Sequence, residues 1–165
     1  MYYICNACIT LIYMNIQETV DFHLRSTLFA IRRMYNILAA ENGITQGIGY
    51  VLINIGKEGV PATKIAPLMG MGTSSLSRLL KNMEDDGLIY RKSDENDRRV
   101  VKVFLTPRGV ELRTEVKKVV IEFNNKLSEK IDQADMETFM RVSQIIRQQV
   151  CNDISHITGG NCDED

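Results

Sequence analysis

The sequence predicts a mainly α-helical fold with one small β-hairpin, and three observations support this prediction. Apolar residues recur every three or four positions in one long early segment and two long late ones, as on one face of a helix. Two runs of β-branched and aromatic residues flank the polar segment SDENDRR, which is typical of a hairpin. The 165 residues are 44% hydrophobic and 25% charged, as in an ordinary globular protein.

The first long helix is expected from Glu18 to about Ala40. Its apolar stripe consists of Val20, Leu24, Leu28, Ile31, Tyr35 and Leu38. Asn42-Gly43 ends this helix, and a second helix is expected from Ile44 to Lys57. Gly47 and Gly49 weaken the second helix by roughly 1 kcal/mol each relative to alanine.

The segment from Pro61 to Gly87 predicts two short helices that are separated at Gly70 to Gly72. A helix-turn-helix needs a small residue where its helices cross, a residue that tolerates positive φ in the turn, and an apolar residue behind the second helix. Ala66, Gly70 and Leu76 meet these needs. The small core is expected to be completed by Ile65, Met69, Leu79, Leu80 and Met83. Pro67 is expected to bend the first of the two helices.

The strands of the hairpin are expected at Leu88 to Lys92 and at Val100 to Leu105. Thr106-Pro107 then begins a helix, with threonine as N-cap and proline at the first helical position. Long helices are expected from Pro107 to Ile131 and from Asp132 to Ile157. The last residues, 159–165, have the sequence GGNCDED and are expected to form a flexible acidic tail.

The second short helix is predicted to separate an apolar face from a polar one. The inward face is formed by Leu76, Leu79, Leu80 and Met83, and the outward face by Ser74, Ser77, Arg78 and Lys81. Short hydroxyl side chains, including Thr73 and Ser75, allow close approach to a DNA major groove, and Arg78 is long enough for a bidentate bond to guanine. The alternative interpretation is an ordinary solvated helix face.

The tip of the hairpin carries Arg98 and Arg99, which are predicted to reach a DNA minor groove. Asp97 could hold one guanidinium in place through a bidentate pair. The alternative is an exposed turn with self-compensating charges. Because the net charge is -1 and the pI is near 6.1, DNA contact must come from such a local patch and not from bulk charge.

The motifs GMGTSSLSRLLKNMEDDGLI and SDENDRRVVKVFLTPRG resemble the MarR family of winged-helix transcription regulators, and the resemblance extends from about Glu18 to Ile157. It implies a homodimer on a pseudo-palindromic double-stranded DNA operator. By position, Ser74, Ser75, Ser77 and Arg78 match the recognition helix of the family, and Arg99 matches the wing arginine that enters the minor groove. Together with Thr73, Lys81 and Arg98 these are the predicted DNA-binding residues, and Asp97 is predicted to support the wing. Hydroperoxide sensors of the family have a cysteine where this chain has Arg25, and zinc sensors need more ligands than His23 and His156.

The three long helices carry more apolar surface than a small winged helix can cover, which predicts a homodimer; one compact monomer with a larger core is the alternative. The expected organisation is an N-terminal extension (1–17), a helical dimerisation region (18–60 and 107–158), a winged helix-turn-helix domain (61–106) and the tail. Residues 1–13 could be an extension from an upstream start or could cover apolar surface on a partner subunit.

No catalytic constellation, cofactor site or metal site is predicted. Cys5 and Cys8 form a CxxC, but no second CxxC and no suitably spaced histidine pair accompanies it. The apolar N-terminus lacks the basic residues of a signal peptide and is too short to cross a membrane, so a cytoplasmic protein is expected. The favoured function is a transcriptional repressor that a small-molecule effector releases from DNA. The alternative is a winged helix that docks an acidic protein.

Overall fold

The structure is a computed structural model that describes residues 15–94, 97 and 99–159. The described residues form two compact units, which are divided after Gln46. Of the described helices, none combines the length and the apolar composition needed to cross a membrane.

The described part of the first unit, from Asn15 onward, contains a 3-10 turn, Ile16–Glu18, followed by helix α1, Val20–Ala40. Asn15 caps the turn by accepting a hydrogen bond from the Gln17 N–H at 3.1 Å. Thr19 is the N-cap of α1, so the helix begins two residues after the predicted Glu18. None of the residues of α1 is buried within the single chain.

The described residues of the second unit form five helices and three strands, and the first of these helices begins at the unit boundary. The elements are α2 (Gln46–Asn54), β1 (Val60–Pro61), α3 (Ala62–Met69), α4 (Thr73–Asp85), β2 (Ile89–Ser93), β3 (Val101–Leu105), α5 (Pro107–Ser128) and α6 (Gln133–Thr158). Helix α3 is continuous through Pro67, and the predicted bend stays a prediction. The predicted helix-turn-helix, hairpin and two long final helices are all present.

The strands form one antiparallel sheet in the order β1-β3-β2. In the hairpin, Arg91 lies opposite Val103, and on the other side of β3 Val60 lies opposite the same residue. Strand β1 was not predicted because two residues ending in proline carry no strand periodicity. Its Pro61 occupies an edge strand, where a missing N–H does not interrupt the sheet.

The core of the second unit lies where α2, α3 and α4 meet the sheet. The side chains with 2% or less exposure are Val51, Leu52, Ile55, Ile65, Leu80, Met83, Leu88, Ile89 and Val103, and Leu76 is 4% exposed. The predicted core residues Leu79 and Met69 are half-buried. Helix α2 supplies Val51 and Leu52 to this core, and the predicted division of the chain into domains stays a prediction.

Helix α5 is joined closely to the sheet at its first turn. The Thr106 hydroxyl accepts a hydrogen bond from the Gly109 N–H at 3.0 Å, as an N-cap does, and donates to the Gly87 carbonyl at 2.7 Å. A Cβ on Gly109 would overlap the backbone carbonyl of Leu88. Only glycine therefore allows α5 to start this close to β2.

Candidate nucleic-acid interface

Helix α4 separates its two faces as its sequence predicts. Leu76, Leu80 and Met83 are buried against the core. The opposite face is exposed to solvent and consists of Thr73, Ser74, Ser75, Ser77, Arg78 and Lys81. We call these six residues the α4 outer face. It carries two cations, four hydroxyls and no acidic residue, which suits a polyanionic ligand.

The N-terminus of α4 follows a tight turn built on two glycines. Gly70 has φ 57° and ends α3, so the left-handed conformation that was expected for this turn is present. Gly72 is the N-cap of α4 and provides no side-chain acceptor for the amides of the first turn. Such amides can donate to a phosphate oxygen. Ser77 Oγ donates to the Thr73 carbonyl at 2.8 Å, which leaves its oxygen as an acceptor towards a ligand.

The C-terminus of α4 is fixed to its neighbours by contacts that span the following turn. Glu84 Oε2 lies 3.3 Å from Arg91 Nε on β2. The Leu88 N–H donates to the Met83 carbonyl at 2.9 Å, and Arg108 Nη1 donates to the Asp86 carbonyl at 2.8 Å. These bonds hold α4 in one orientation relative to the strand that leads into the hairpin loop. Neither Arg91 nor Arg108 was identified from the sequence.

The hairpin loop, residues 94–100, carries the predicted wing residues, and we call it the wing loop. Asp97 and Arg99 are exposed, and Arg98 lies outside the described residues. Asp97 Oδ1 accepts a hydrogen bond from the Arg99 backbone N–H at 2.9 Å. This hydrogen bond fixes the position of the Arg99 backbone relative to Asp97. The predicted pairing of Asp97 with a guanidinium stays a prediction.

Asp94, at the base of the wing loop, is a residue that the sequence did not identify. Its Oδ2 lies 2.6 Å from Lys102 Nζ, and its Oδ1 accepts a hydrogen bond from the Asp97 N–H at 3.2 Å. Its side chain is 15% exposed. In the sequence, Asp94 is one of several acidic residues in SDENDRR, and no neighbouring residue distinguishes it. Its half-buried ion pair could not be predicted because the partner, Lys102, lies on the other strand.

Helix α5 makes a second long-range contact with the helix-turn-helix. Arg113 Nη1 donates to the Ile55 carbonyl at 2.8 Å, immediately after the C-terminal end of α2. A cation at a helix C-terminus is favourable because the free carbonyls there carry partial negative charge. Arg113 and Arg108 therefore tie α5 to the C-terminal ends of two helices of the same unit.

The described residues offer no alternative site of a metal-binding kind. Within residues 15–94, 97 and 99–159, no three His, Cys, Asp or Glu side chains come together as metal ligands. Cys151 is a half-buried thiol. Cys5, Cys8 and Cys162, including the CxxC of the sequence, lie outside the described residues.

Comparisons with known proteins agree with this architecture. The model of the MarR family matches residues 52–101, which run from α2 to the start of β3. A Thauera aromatica protein, described as a transcriptional regulatory protein for the hcr operon, is 24% identical over 132 residues, covering 79% of this chain and 80% of that protein.

Two solved structures are similar in fold. A regulator of Listeria monocytogenes assigned to the MarR family, complexed with 26-mer DNA, has a TM-score of 0.75 at 19% identity and covers 90% of this chain and 99% of its own. CouR from Rhodococcus jostii RHA1, bound to p-coumaroyl-CoA, has a TM-score of 0.73 at 24% identity. The similarity covers 81% of this chain and 94% of the CouR chain. These likenesses confirm the predicted winged-helix fold.

Proposed function

We propose that the chain, of which residues 52–101 match the model of the MarR family of transcriptional regulators, regulates transcription by binding double-stranded DNA through α4 and the wing loop. The observation that carries the proposal is the α4 outer face, which is exposed, basic and rich in hydroxyls, while the opposite face is buried in the core. The DNA complex of the similar Listeria monocytogenes protein supports the same ligand for this chain.

The residues of the α4 outer face would make two kinds of contact, with base edges and with phosphates. Arg78 has the planar guanidinium needed for a bidentate bond to guanine, so it would carry base discrimination. The hydroxyls of Thr73, Ser74 and Ser75 lie in the first turn, where backbone amides also favour phosphate. Lys81 would contribute a phosphate contact, which adds affinity but little sequence preference.

The wing arginines would make the second contact. Arg99, with Arg98, would enter the minor groove beside the bound major groove, where a narrow A·T-rich segment concentrates negative potential. Arg91 supports a fixed geometry because its ion pair with Glu84 joins β2 to the last turn of α4. A fixed spacing between the two contacts would let both grooves be bound at once.

The active form would be a homodimer. In the single chain, none of the residues of α6 is buried, and its apolar side chains stand in solvent, with Phe139 60% and Ile157 83% exposed. Apolar helix faces of this extent usually mark an interface. A second copy provides the matching surface by two-fold symmetry, and the symmetry would set two recognition helices about 34–36 Å apart on a pseudo-palindromic operator.

The proposed regulation is repression that a small-molecule effector relieves. The complex of CouR with p-coumaroyl-CoA shows that a protein of this fold binds such a molecule. To move the dimer from almost fully DNA-competent to almost fully released, an effector would need a preference of about 5.5 kcal/mol for the released state. A protein of this kind acts on DNA in the cytoplasm and needs no catalytic group.

Selection of duplexes from a random pool tests the proposal. The expected result is enrichment of an inverted repeat, with binding that weakens linearly in log–log coordinates as salt rises, at about 0.9 per phosphate contacted. The proposal is wrong if no duplex is enriched even at low salt. A salt-independent association with an acidic protein would instead indicate a docking module.

A further inference from the structure

The wing loop is held closed at its base by Asp94. The Asp94 N–H donates to the Val100 carbonyl at 2.8 Å, and within the loop the Val100 N–H donates to the Asp97 carbonyl at 2.9 Å. The Asp94 carboxylate also forms an ion pair with Lys102 Nζ on the facing strand and accepts a hydrogen bond from the Asp97 N–H within the loop. Asp94 therefore connects the backbone at the base of the loop, the interior of the loop and the facing strand β3.

A relay of hydrogen bonds leads from this residue to the wing arginine. Asp94 Oδ1 accepts from the Asp97 N–H at 3.2 Å, and Asp97 Oδ1 accepts from the Arg99 N–H at 2.9 Å. Each carboxylate fixes the backbone at the next step along the loop, as aspartates do in turns. The backbone position of Arg99 thus depends on the Asp94 side chain through Asp97.

The burial of Asp94 separates it from an ordinary loop carboxylate. Its side chain is 15% exposed and that of Lys102 is 31% exposed, whereas most surface ion pairs are well solvated and contribute little. Loss of one partner of a largely buried pair leaves a poorly solvated charge. The pair with Lys102 therefore gives Asp94 a fixed position, which a solvated side chain would lack.

The charge of Asp94 does not by itself favour DNA binding. A carboxylate close to a loop that approaches phosphates is repelled by them, and its pairing with Lys102 removes a cation from phosphate contact. Any benefit of Asp94 to DNA binding must therefore come from the conformation that it imposes. If electrostatic repulsion alone mattered, removal of the carboxylate would strengthen DNA binding, whereas a conformational role predicts weaker binding.

We propose that Asp94 is a positioning residue of the wing, whose carboxylate links Lys102 to the Asp97 amide and thereby holds Arg99 where it can contact DNA. The inference rests on the proposed function and adds to it a residue that makes no DNA contact of its own. If loss of the carboxylate leaves the loop in its binding conformation for a tenth of the time, apparent affinity falls about tenfold per wing and about 100-fold for a dimer.

Two variants test the proposal: Asp94→Ala removes the whole carboxylate, and Asp94→Asn removes its charge. Alanine removes the carboxylate, and with it the ion pair with Lys102 and the hydrogen bond from the Asp97 N–H, so the full loss of affinity is expected. Asparagine keeps an oxygen acceptor for the Asp97 N–H and loses the ion pair, so a smaller loss is expected. Asp85→Ala is the matched control, because it removes an exposed acid from the last turn of α4 and should not weaken binding.

The probe is a duplex that the wild-type chain has selected from a random pool, and binding is measured by fluorescence anisotropy at several salt concentrations. Each variant is also made in a chain carrying Arg98→Ala and Arg99→Ala. If Asp94 acts through the wing arginines, its replacement should change affinity less than about twofold in that background, because the positioned groups are gone. Circular dichroism checks folding of every variant.

The outcomes separate this inference from the proposed function. If the wild-type chain selects no duplex, the proposed function is wrong. If the wild-type chain binds and a folded Asp94→Ala binds equally well or better, only the role of Asp94 is wrong. An equal loss with and without the wing arginines would also overturn that role, since it indicates a general structural effect. If Asp94→Ala does not fold, Asp94→Asn decides by the same comparison.

Discussion

Replacement of Arg78 by alanine isolates the predicted base contact from the stability of the fold. Arg78 is exposed, and within the described part of the chain its side chain makes no hydrogen bond or ion pair. Alanine has the highest helix propensity, and surface substitutions of this kind change the free energy of unfolding by about 0.5 kcal/mol or less. A loss of DNA affinity in Arg78→Ala would therefore reflect DNA contacts.

The expected size of that loss follows from the geometry of a symmetric dimer. One bidentate arginine–guanine pair discriminates by about 1 to 3 kcal/mol. Both copies of Arg78 are changed at once, so a palindromic duplex should lose about 2 to 6 kcal/mol if the two half-sites act independently. At about 1.4 kcal/mol for each factor of ten, this is a loss of about 30-fold to about 10⁴-fold.

The assay compares two duplexes, the selected one and one with the contacted base pair replaced. Wild type should prefer the selected duplex, and Arg78→Ala should bind both with similar, weaker affinity. Arg78→Lys is the control that keeps the charge without the planar fork, so it should retain the salt dependence and lose the preference. The reasoning is refuted if Arg78→Ala stays within about twofold of wild type and keeps the same base preference.

Three further predictions concern the framework. Gly109→Ala should lower the free energy of unfolding in urea by about 1 to 3 kcal/mol because its Cβ meets the Leu88 carbonyl, whereas Gly56→Ala, with open space around it, should be neutral or slightly stabilising. Arg113→Met should cost about 1.5 to 3 kcal/mol through its part-buried bond to a helix-end carbonyl, more than Arg108→Met at an exposed one; equal losses in urea unfolding would contradict this. Phe139→Glu should shift the chain towards monomer in sedimentation equilibrium because it places a charge on the exposed apolar face of α6, and an unchanged dimer would remove that face from the interface.

The features that were predicted correctly are those that neighbouring residues decide together. The inward step of Leu76, Leu80 and Met83 along α4 is a repeat of three and four positions, and any helix over that segment must bury them on one side. The capping of α5 by Thr106 is equally local, since the hydroxyl bonds an amide three residues later. The exposure of Arg78 opposite that stripe follows from the same periodicity.

The features that were missed depend on residues far apart in the chain. Strand β1 exists because Val60 pairs with Val103, and two residues alone carry no pattern. The start of α1 was placed too early because Glu18 belongs to a 3-10 turn that Asn15 caps, a choice between two helical conformations that apolar spacing does not distinguish. Asp94 differs from Asp97 in its contact with Lys102, a residue of the facing strand that lies eight positions later in the chain.

The sequence by itself determined the order of the long helices, the helix-turn-helix and the hairpin, the two faces of α4 and the presence of arginines at the wing, because each depends on periodicity, capping or composition over a few neighbouring residues. The tertiary structure alone decided how these parts are held: Arg91 against Glu84, Arg113 on the end of α2, and Asp94 as the fixed base of the wing loop. Such contacts form only after the chain has folded, since they join groups whose separation is set by the packing of whole helices and strands and not by their spacing along the chain.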